Sequence, residues 1–365
     1  MIRQGARVSW VEFDGEKSDS RHHNGIEFAT IRISESFGQL RPFLLIIQAL
    51  VFCVAERVDC VYIDEWLMFR SKAFSQFALR IALKLMRVKI IFDMRDPYID
   101  YQIAYGKLKH GSSRHLSLLR QYSLIYRLTD LIVLPSKVYA ELFVKEGIPE
   151  IRVLGIPRGI DEKLFNPRVD PTRIREKLGL DGKFVIGWFG MMHRYRQIKE
   201  ILVPLIKHVR EHIPNAYVLI GGTGELFGKF SELKKEEPDS PFALLGMIPY
   251  QELPQYITAC DVLLSPVDPK YRFTRHSVWL KILESVAVGR PIIATRTALS
   301  EGDFKHMKGI VWAEANLQSF LACLVDIHNN YDLYSTQASS QAANFRDYSI
   351  HSTIPRIAER ILEIL

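Results

Sequence analysis

The stretch of sequence that decides the fold is residues 271–295, YRFTRHSVWLKILESVAVGRPIIAT. It predicts an apolar helix that ends at Gly289 and runs directly into a buried strand. Lys281 and Glu284 lie three residues apart on one face of this helix. Because charged side chains are rarely buried unless they are paired or bind a ligand, the two residues predict either a ligand site or an internal ion pair.

On both sides of this stretch, short apolar runs alternate with helical patterns. Strands are predicted at Val8–Phe13, Ile26–Ile33, Cys60–Ile63, Lys89–Phe92, Leu131–Leu134, Phe184–Phe189, Ala216–Ile220, Phe242–Leu245, Val262–Leu264, Pro291–Thr295 and Gly309–Trp312. Such alternation indicates parallel sheets with helices on both faces. A turn rich in Pro and Gly at residues 155–159 divides the pattern. Two doubly wound α/β domains are therefore predicted, residues 1–155 and 156–349, with an amphipathic helix over residues 350–365 that packs back on the first domain.

Length and composition indicate an ordinary globular protein. The chain has 365 residues, of which 48% are hydrophobic and 24% charged, and these values exclude disordered and fibrous classes. Its four cysteines form no CxxC pair and are expected to be free thiols in a reducing cytosol. The longest apolar run, residues 43–55, is shorter than the ~20 residues that a spanning helix needs, and no signal peptide is recognisable. The expected location is cytoplasmic.

Positive charge is concentrated in the first half of the chain. Residues 1–168 contain 25 Lys and Arg against 19 Asp and Glu, whereas residues 169–365 contain 23 against 22. No basic helix with interleaved aromatic residues is present, so a nucleic-acid partner is not expected. Residues 107–127 combine five basic residues with leucines and tyrosines, which predicts either a peripheral contact with an anionic membrane or an ordinary helix with a solvated basic side.

A second candidate site follows the strand at residues 184–189. Gly190 ends the strand, and Arg194, Arg196 and Lys199 follow at the start of a predicted helix. Cations at a helix N-terminus oppose the helix dipole, so helix stability does not explain them, whereas a bound diphosphate does. The alternative is a solvated basic loop. A glycine cluster at residues 221–224 ends the next strand and predicts a tight turn or a phosphate loop.

In their order and spacing these motifs resemble the GT-B-fold glycosyltransferases and are similar to glycosyltransferase family 4. The resemblance covers nearly the whole chain. The segments that carry it are Thr129–Ser136, Ile156–Asp161 with Phe165 and Pro167, Gly190, Gly221–Gly224, Leu245–Gly246, Tyr256–Pro266 and Lys281–Pro291. The implied fold has two Rossmann-like domains that face each other across a cleft.

The resemblance also implies the donor site. Glu284 matches the ribose-binding glutamate of the family, and Lys281 matches the lysine of its S-x-x-K-x-x-E variant. Main-chain groups near Met247 would meet the base, and Arg194 or Arg196 would serve the diphosphate. The nucleotide sugar is a substrate, so no cofactor is implied. No DxD motif is visible, and no metal ion is expected.

On the acceptor side, Ile91–Tyr98 is similar to the family's R-D-x-W segment. Asp96 is therefore the candidate catalytic residue that contacts the transferred sugar or the acceptor. The alternative is that Asp96 caps the following helix. The acceptor is expected to be a sugar, a lipid-linked glycan or a polysaccharide.

The chain departs from the family pattern at several positions. The acid expected eight residues before Glu284 is His276, the Arg expected after Gly190 is Met191, and the hinge Asn is Arg158. The family's first strand and its loop are expected to be absent, because the opening residues fit the end of the first helix.

The function expected from the resemblance is transfer of a sugar from a nucleoside diphosphate to an acceptor hydroxyl, with retention of configuration, in glycan, polysaccharide or glycolipid synthesis. Two alternatives remain open. One is a nucleotide-sugar 2-epimerase of the same fold, and the other is an inactive sugar-nucleotide-binding relic.

Overall fold

The computed structural model describes residues 8–13, 26–31, 41–64, 73–95, 97–343 and 345–365. The chain divides into two compact units. The first comprises Met1–Leu134, Ala140–Gly155 and Ile354–Leu365, and the second comprises Pro135–Tyr139 and Ile156–Thr353. Each unit is an α/β structure with parallel strands, so the predicted fold class is confirmed. The candidate catalytic residue Asp96 lies outside the described residues. Residues 1–7, on which the expectation of an absent first strand rests, lie outside them as well.

The first unit contains six described strands in two parallel sheets. They are β1 Val8–Phe13, β2 Ile26–Ile31, β3 Cys60–Asp64, β4 Lys89–Asp93, β5 Leu131–Leu134 and β6 Val153–Gly155. β1 pairs with β2, and the other four form a sheet in the order β3-β4-β5-β6. β5 is buried at every position, as expected of a strand covered on both faces.

Helices cover the strands of the first unit. They are α1 Arg41–Ala55, α2 Ala73–Leu85, α3 Tyr98–Ala104, α4 Ser113–Arg127 and α5 Lys137–Lys145, whose first residues count with the second unit. Ser112 precedes α4 and is its N-cap, because its Oγ accepts the His115 backbone N–H at 3.2 Å. The sequence pattern did not predict α3 or β6, because both are short.

The second unit contains a continuous six-stranded parallel sheet. Its strands are β7 Phe184–Phe189, β8 Ala216–Gly221, β9 Phe242–Gly246, β10 Val262–Ser265, β11 Ile292–Thr295 and β12 Ile310–Ala313, in the order β12-β11-β10-β7-β8-β9. The chain enters at β7, adds β8 and β9 on one side, and then crosses to β10 on the other. The strand order therefore reverses between β7 and β10, and ligands of such sheets bind beyond the carboxyl ends of the strands at this reversal.

The helices of the second unit are α6 Thr172–Lys177, α7 Val203–His212, α8 Phe227–Glu236, α9 Leu253–Thr258, α10 Arg272–His276, α11 Leu280–Ala287, α12 Ala298–Glu301, α13 Leu317–Asn329, α14 Tyr331–Ala343 and the first residues of α15 Ile350–Leu362. The apolar helix that was predicted to end at Gly289 begins at Leu280, and a separate short helix, α10, precedes it. Side chains of β7, β8, β10 and β11 pack with α7 and α13 into the core, which includes Ile186, Val218, Leu264, Ile293, Leu205, Phe320 and Leu324.

The turn at residues 155–159 requires glycine at its last position. A Cβ atom on Gly159 would lie 2.5 Å from the backbone of Ile350. The backbones meet here because Ile160 forms an isolated parallel bridge with Ser349. This contact explains why the hinge motif keeps its glycine although its asparagine is replaced by Arg158.

Candidate functional site

Two glycine loops at the carboxyl ends of β7 and β8 pack against each other backbone to backbone. Gly190 donates its N–H to the Gly221 carbonyl at 3.0 Å. Gly222 has φ +120°, and a Cβ there would lie 1.9 Å from the Gly190 carbonyl oxygen. Gly224 has φ +144°, and a Cβ there would lie 2.7 Å from the Met192 nitrogen. The glycine cluster is therefore required by the contact between the two loops, which makes it a structural support of the site.

Lys281 reaches this loop pair from α11. Its ammonium lies against the backbone of Gly190, since a Cβ on that glycine would be 3.1 Å from Nζ. Nζ is buried and donates to no protein atom among the described residues. Burial lowers the pKa of Lys281 well below its usual value, the nearby charge of Arg196 lowers it further, and Glu284 opposes both. Nζ therefore has an incomplete set of partners, and an anion bound beside it would favour its charged form.

Glu284 lies three residues beyond Lys281 on the same helix and is buried. Burial raises the pKa of Glu284 to about 7, and the attraction of Lys281 only partly offsets that effect. The charge of Glu284 also acts on Tyr250. Burial, together with the charges of Glu284 and Asp161, raises the pKa of Tyr250 to about 12. The protonated form of the Glu284 carboxyl group is therefore favoured more than in an exposed glutamate.

Arg196 is the second buried cation, and it occupies a 3₁₀ turn, Arg194–Arg196, that follows the Gly190 loop. The side chain is 8% exposed, and its Nε and Nη1 donate to no protein atom in the described part of the chain. Its guanidinium carbon lies 3.9 Å from the centre of the Trp279 ring and 5.2 Å from that of Tyr195. We refer to Arg196 and Lys281 as the buried cation pair.

Aromatic rings flank both members of the buried cation pair. Lys281 Nζ lies 4.4 Å from the ring centre of Trp188, which is fully buried in β7. Trp279 contacts Tyr195 and Phe273 as well as Arg196. Neither tryptophan stands out in the sequence, because a Trp beside a ligand site has the same apolar neighbours there as a core Trp. The available signal was that each Trp lies close in sequence to a cation or to the Gly190 loop.

Arg194 and Lys199 lie differently from Arg196, and we refer to them as the exposed cation pair. Arg194 Nε and Nη2 contact Glu225 at 3.3 and 3.2 Å, and the Arg194 backbone N–H donates to Glu225 at 2.8 Å. These hydrogen bonds raise the pKa of Arg194. Lys199 is exposed in a π-helical turn, Ile198–Leu202. Together with Glu200 and Leu226, the exposed cation pair lines a cavity of about 280 Å³.

Met247 follows β9 at the rim of the same sheet edge. Its side chain is 67% exposed. The preceding residue, Gly246, has φ +67° and accepts the Gly222 N–H at 2.6 Å, which ties this turn to the glycine loops. Main-chain groups beside Met247 are thus anchored next to the β8 loop.

The positions at which the chain departs from the family pattern are also described. His276 ends α10, and its Nδ1 lies 2.8 Å from the Arg272 carbonyl, so Nδ1–H is the donor of this bond. The His276 carbonyl accepts a hydrogen bond from the Ser136 hydroxyl. Met191 follows Gly190, and its side chain is 45% exposed. A neutral thioether thus stands directly after the loop glycine, where the pattern has a guanidinium.

In the first unit, polar groups meet at the carboxyl ends of β3 and β4. Asp93 accepts hydrogen bonds from the Tyr62 hydroxyl and from Arg95 Nε. Both neighbours of the candidate residue Asp96 along the chain, Arg95 and Pro97, are buried.

Comparisons with known proteins agree with the fold. Residues 183–330 match the family "Glycosyl transferases group 1". The UDP complex of HepE from Anabaena superposes with a TM-score of 0.70 at 18% identity, over 93% of this chain and 86% of that one. Sucrose-phosphate synthase from Thermosynechococcus elongatus superposes with a TM-score of 0.73 at 14% identity, over 100% and 90% of the two chains. The chain therefore has the GT-B fold of the glycosyltransferases, and the resemblance to GT-B-fold glycosyltransferases is confirmed.

The family match covers less than half of the chain. A curated relative is the lipopolysaccharide core biosynthesis mannosyltransferase LpsB of Rhizobium meliloti, which is 28% identical over 177 residues. The match covers 47% of this chain and about half, 46%, of the length of that relative. In the ranges that the structure describes, no helix is long and apolar enough to cross a membrane.

Proposed function

We propose that the protein transfers a sugar from a nucleoside diphosphate sugar to an acceptor hydroxyl, with retention of configuration. The observation that carries this proposal is the buried cation pair. Arg196 and Lys281 lie beside the Gly190 loop at the reversal of the sheet, and Glu284 is the acidic residue that acts on the charge of Lys281. Two buried cations with one carboxylate favour binding of an additional anion.

In this proposal each group has a role. The two cations hold the donor diphosphate, and the carboxylate of Glu284 accepts hydrogen bonds from ribose hydroxyls. Main-chain groups beside Met247 meet the base. The HepE structures, which share this fold, contain UDP or UDP-glucose, and this supports a nucleotide-sugar donor.

The same cations also serve the reaction. As the bond between the sugar and the diphosphate breaks, negative charge develops on the leaving phosphate, and Arg196 and Lys281 stabilise it there. The acceptor hydroxyl attacks from the same face and passes its proton to a leaving phosphate oxygen. Retention through two steps would instead require a carboxylate nucleophile close to the sugar.

The proposed acceptor is a sugar, a lipid-linked glycan or a polysaccharide. The relative LpsB, which is named a lipopolysaccharide core biosynthesis mannosyltransferase, supports this choice.

The proposed location is the cytoplasm, at an anionic membrane surface. In α4, Leu116, Leu119 and Leu124 are exposed although Tyr122 and Ile125 are buried. Part of the apolar side of this basic helix is thus available to a lipid surface.

Calorimetric titration with UDP, GDP and ADP, each compared with its nucleoside, tests the proposal. One diphosphate is expected to bind at least ten times more tightly than its nucleoside, and the matching nucleotide sugar is expected to be hydrolysed slowly without acceptor. Formation of an epimer of the donor would support the 2-epimerase instead. Absence of binding by all three diphosphates would support a relic without a donor site.

A further inference from the structure

Both members of the buried cation pair rest on indole rings. Arg196 lies 3.9 Å from the Trp279 ring centre, and Lys281 lies 4.4 Å from that of Trp188. Three of their N–H-bearing atoms, Arg196 Nε, Arg196 Nη1 and Lys281 Nζ, are buried and donate to no protein atom that the structure describes. Each cation is thus held mainly through the face of an aromatic ring.

This arrangement differs from the usual treatment of buried cations. A buried Arg or Lys generally has a carboxylate partner, because the partner offsets the cost of losing water. Arg194 has such a partner in Glu225. An aromatic face attracts a cation through its quadrupole but carries no net charge. It therefore fixes the position of the cation and leaves its charge and its N–H donors available.

The indole nitrogens show that the ring faces are what the site uses. Trp188 Nε1 and Trp279 Nε1 are both buried and donate to no protein atom among the described residues. An unsatisfied buried N–H is unfavourable, and a phenylalanine or leucine would avoid it. Tryptophan has the most negative face of the aromatic side chains, so it is the best ring for holding a cation.

We propose that Trp279 and Trp188 are positioning residues that hold Arg196 and Lys281 in the orientation needed for the donor diphosphate. This inference rests on the proposed function. A carboxylate in place of either ring would hold the cation equally well, but it would repel the incoming phosphates and occupy the N–H donors. The indole rings hold the cations in place of hydrogen-bonded carboxylates, and the diphosphate supplies negative charge when it binds.

Trp279→Leu and Trp279→Phe test this role through the ratio of UDP to uridine affinity, or of GDP or ADP to its nucleoside where the wild type binds that diphosphate. We expect Trp279→Leu to weaken diphosphate binding about 10-fold and to change nucleoside binding less than 2-fold. Trp279→Phe, which keeps a weaker ring face, should fall between the wild type and Trp279→Leu. Trp312→Leu in β12 is the matched control and should leave the ratio unchanged. Equal weakening of diphosphate and nucleoside would show that Trp279 is merely structural and would overturn the proposal.

Fluorinated tryptophans provide a second test that leaves the side-chain shape nearly unchanged. Successive fluorine atoms withdraw charge from the ring face, so the affinity for the diphosphate should fall stepwise with the fluorine count while the affinity for the nucleoside stays constant. A flat response would overturn the proposal even if Trp279→Leu fails to fold. Failure of the unmodified protein to bind any diphosphate would instead refute the proposed function, and the positioning role with it.

Discussion

The buried and the exposed cation pair are neighbours that differ in exposure and in their partners. Arg194, Arg196 and Lys199 all follow β7 within a few residues, and Lys281 contacts the same loop at Gly190. Arg196 and Lys281 lie on indole faces, and some of their N–H groups have no protein acceptor in the described part of the chain. Arg194 is satisfied by Glu225, and Lys199 projects to the surface. Sequence proximity therefore does not establish a shared role. The pair that has lost water without gaining a carboxylate hydrogen bond within the described residues is the one prepared for an anion.

Alanine substitutions in the two pairs should separate them most clearly. Arg196→Ala and Lys281→Ala each remove a charged hydrogen-bond donor, worth about 1.5–3 kcal/mol, and should weaken diphosphate binding about 10- to 150-fold. Arg194→Ala and Lys199→Ala should change it less than about 3-fold, since exposed charges are screened by water and salt. Calorimetric titration at two salt concentrations measures both effects. Equal losses from the two pairs would remove the distinction drawn between them.

Glu284 sharpens the comparison, because it is the carboxylate that accompanies the buried cation pair. Glu284→Gln should weaken nucleoside and diphosphate binding by a similar factor, about 10-fold, since the lost contact is to ribose. Unchanged affinity together with lower stability would show that Glu284 has a structural role.

Glu284→Gln should also change the free energy of unfolding, in a direction that follows from the pKa of Glu284. The pKa of Glu284, about 7, lies above the 4.5 of an ordinary glutamate, so the folded state retains a proton that the unfolded state has released. The contribution of Glu284 to stability is present below pH 4.5 and is lost as the pH rises towards 7. Glu284→Gln should therefore gain unfolding free energy relative to wild type between pH 5 and pH 8, by about 1–3 kcal/mol. Denaturant unfolding of both proteins at the two pH values measures this difference.

Gly190 tests whether the buried ammonium needs the bare backbone beside it. The residue has φ +148°, and an added Cβ would lie 3.1 Å from Lys281 Nζ. Gly190→Ala should cost about 1–3 kcal/mol of stability through backbone strain and should weaken diphosphate binding about 5-fold by displacing the ammonium. Gly228→Ala in α8, where an added Cβ meets no atom within 4 Å, is the control and should be neutral or slightly stabilising. Full affinity in Gly190→Ala would show that the ammonium can shift at no cost.

Much of the fold could be predicted from the sequence because buried parallel strands are short apolar runs with clear ends. Strands β1, β5 and β7 have the predicted bounds. The elements that were not predicted, such as α3, β6 and α10, have seven residues or fewer, too few for a periodic pattern. α14 was also missed, because its Ser, Gln and Ala residues give almost no apolar stripe.

Less of the site could be predicted, because its chemistry depends on which side chains face inward. The sequence placed Arg194 and Arg196 in one basic cluster, and only the three-dimensional structure separates a guanidinium on Trp279 from one on Glu225. The role of Gly222 was equally hidden, since its partner is the backbone of a different loop.

The smallest expected effect concerns α4, the basic helix of the first unit, whose positive charges lie apart from both cation pairs. In α4, Arg114 and Arg120 are exposed next to Leu116 and Leu119. Each basic residue near an anionic membrane contributes about 1 kcal/mol, so Arg120→Gln should reduce sedimentation with anionic vesicles about 5-fold. Lys235→Gln in α8, an exposed cation of the second unit, is the matched control and should have no effect. If the wild type sediments equally little with anionic and neutral vesicles, α4 is an ordinary solvated helix, and the acceptor is reached from solution.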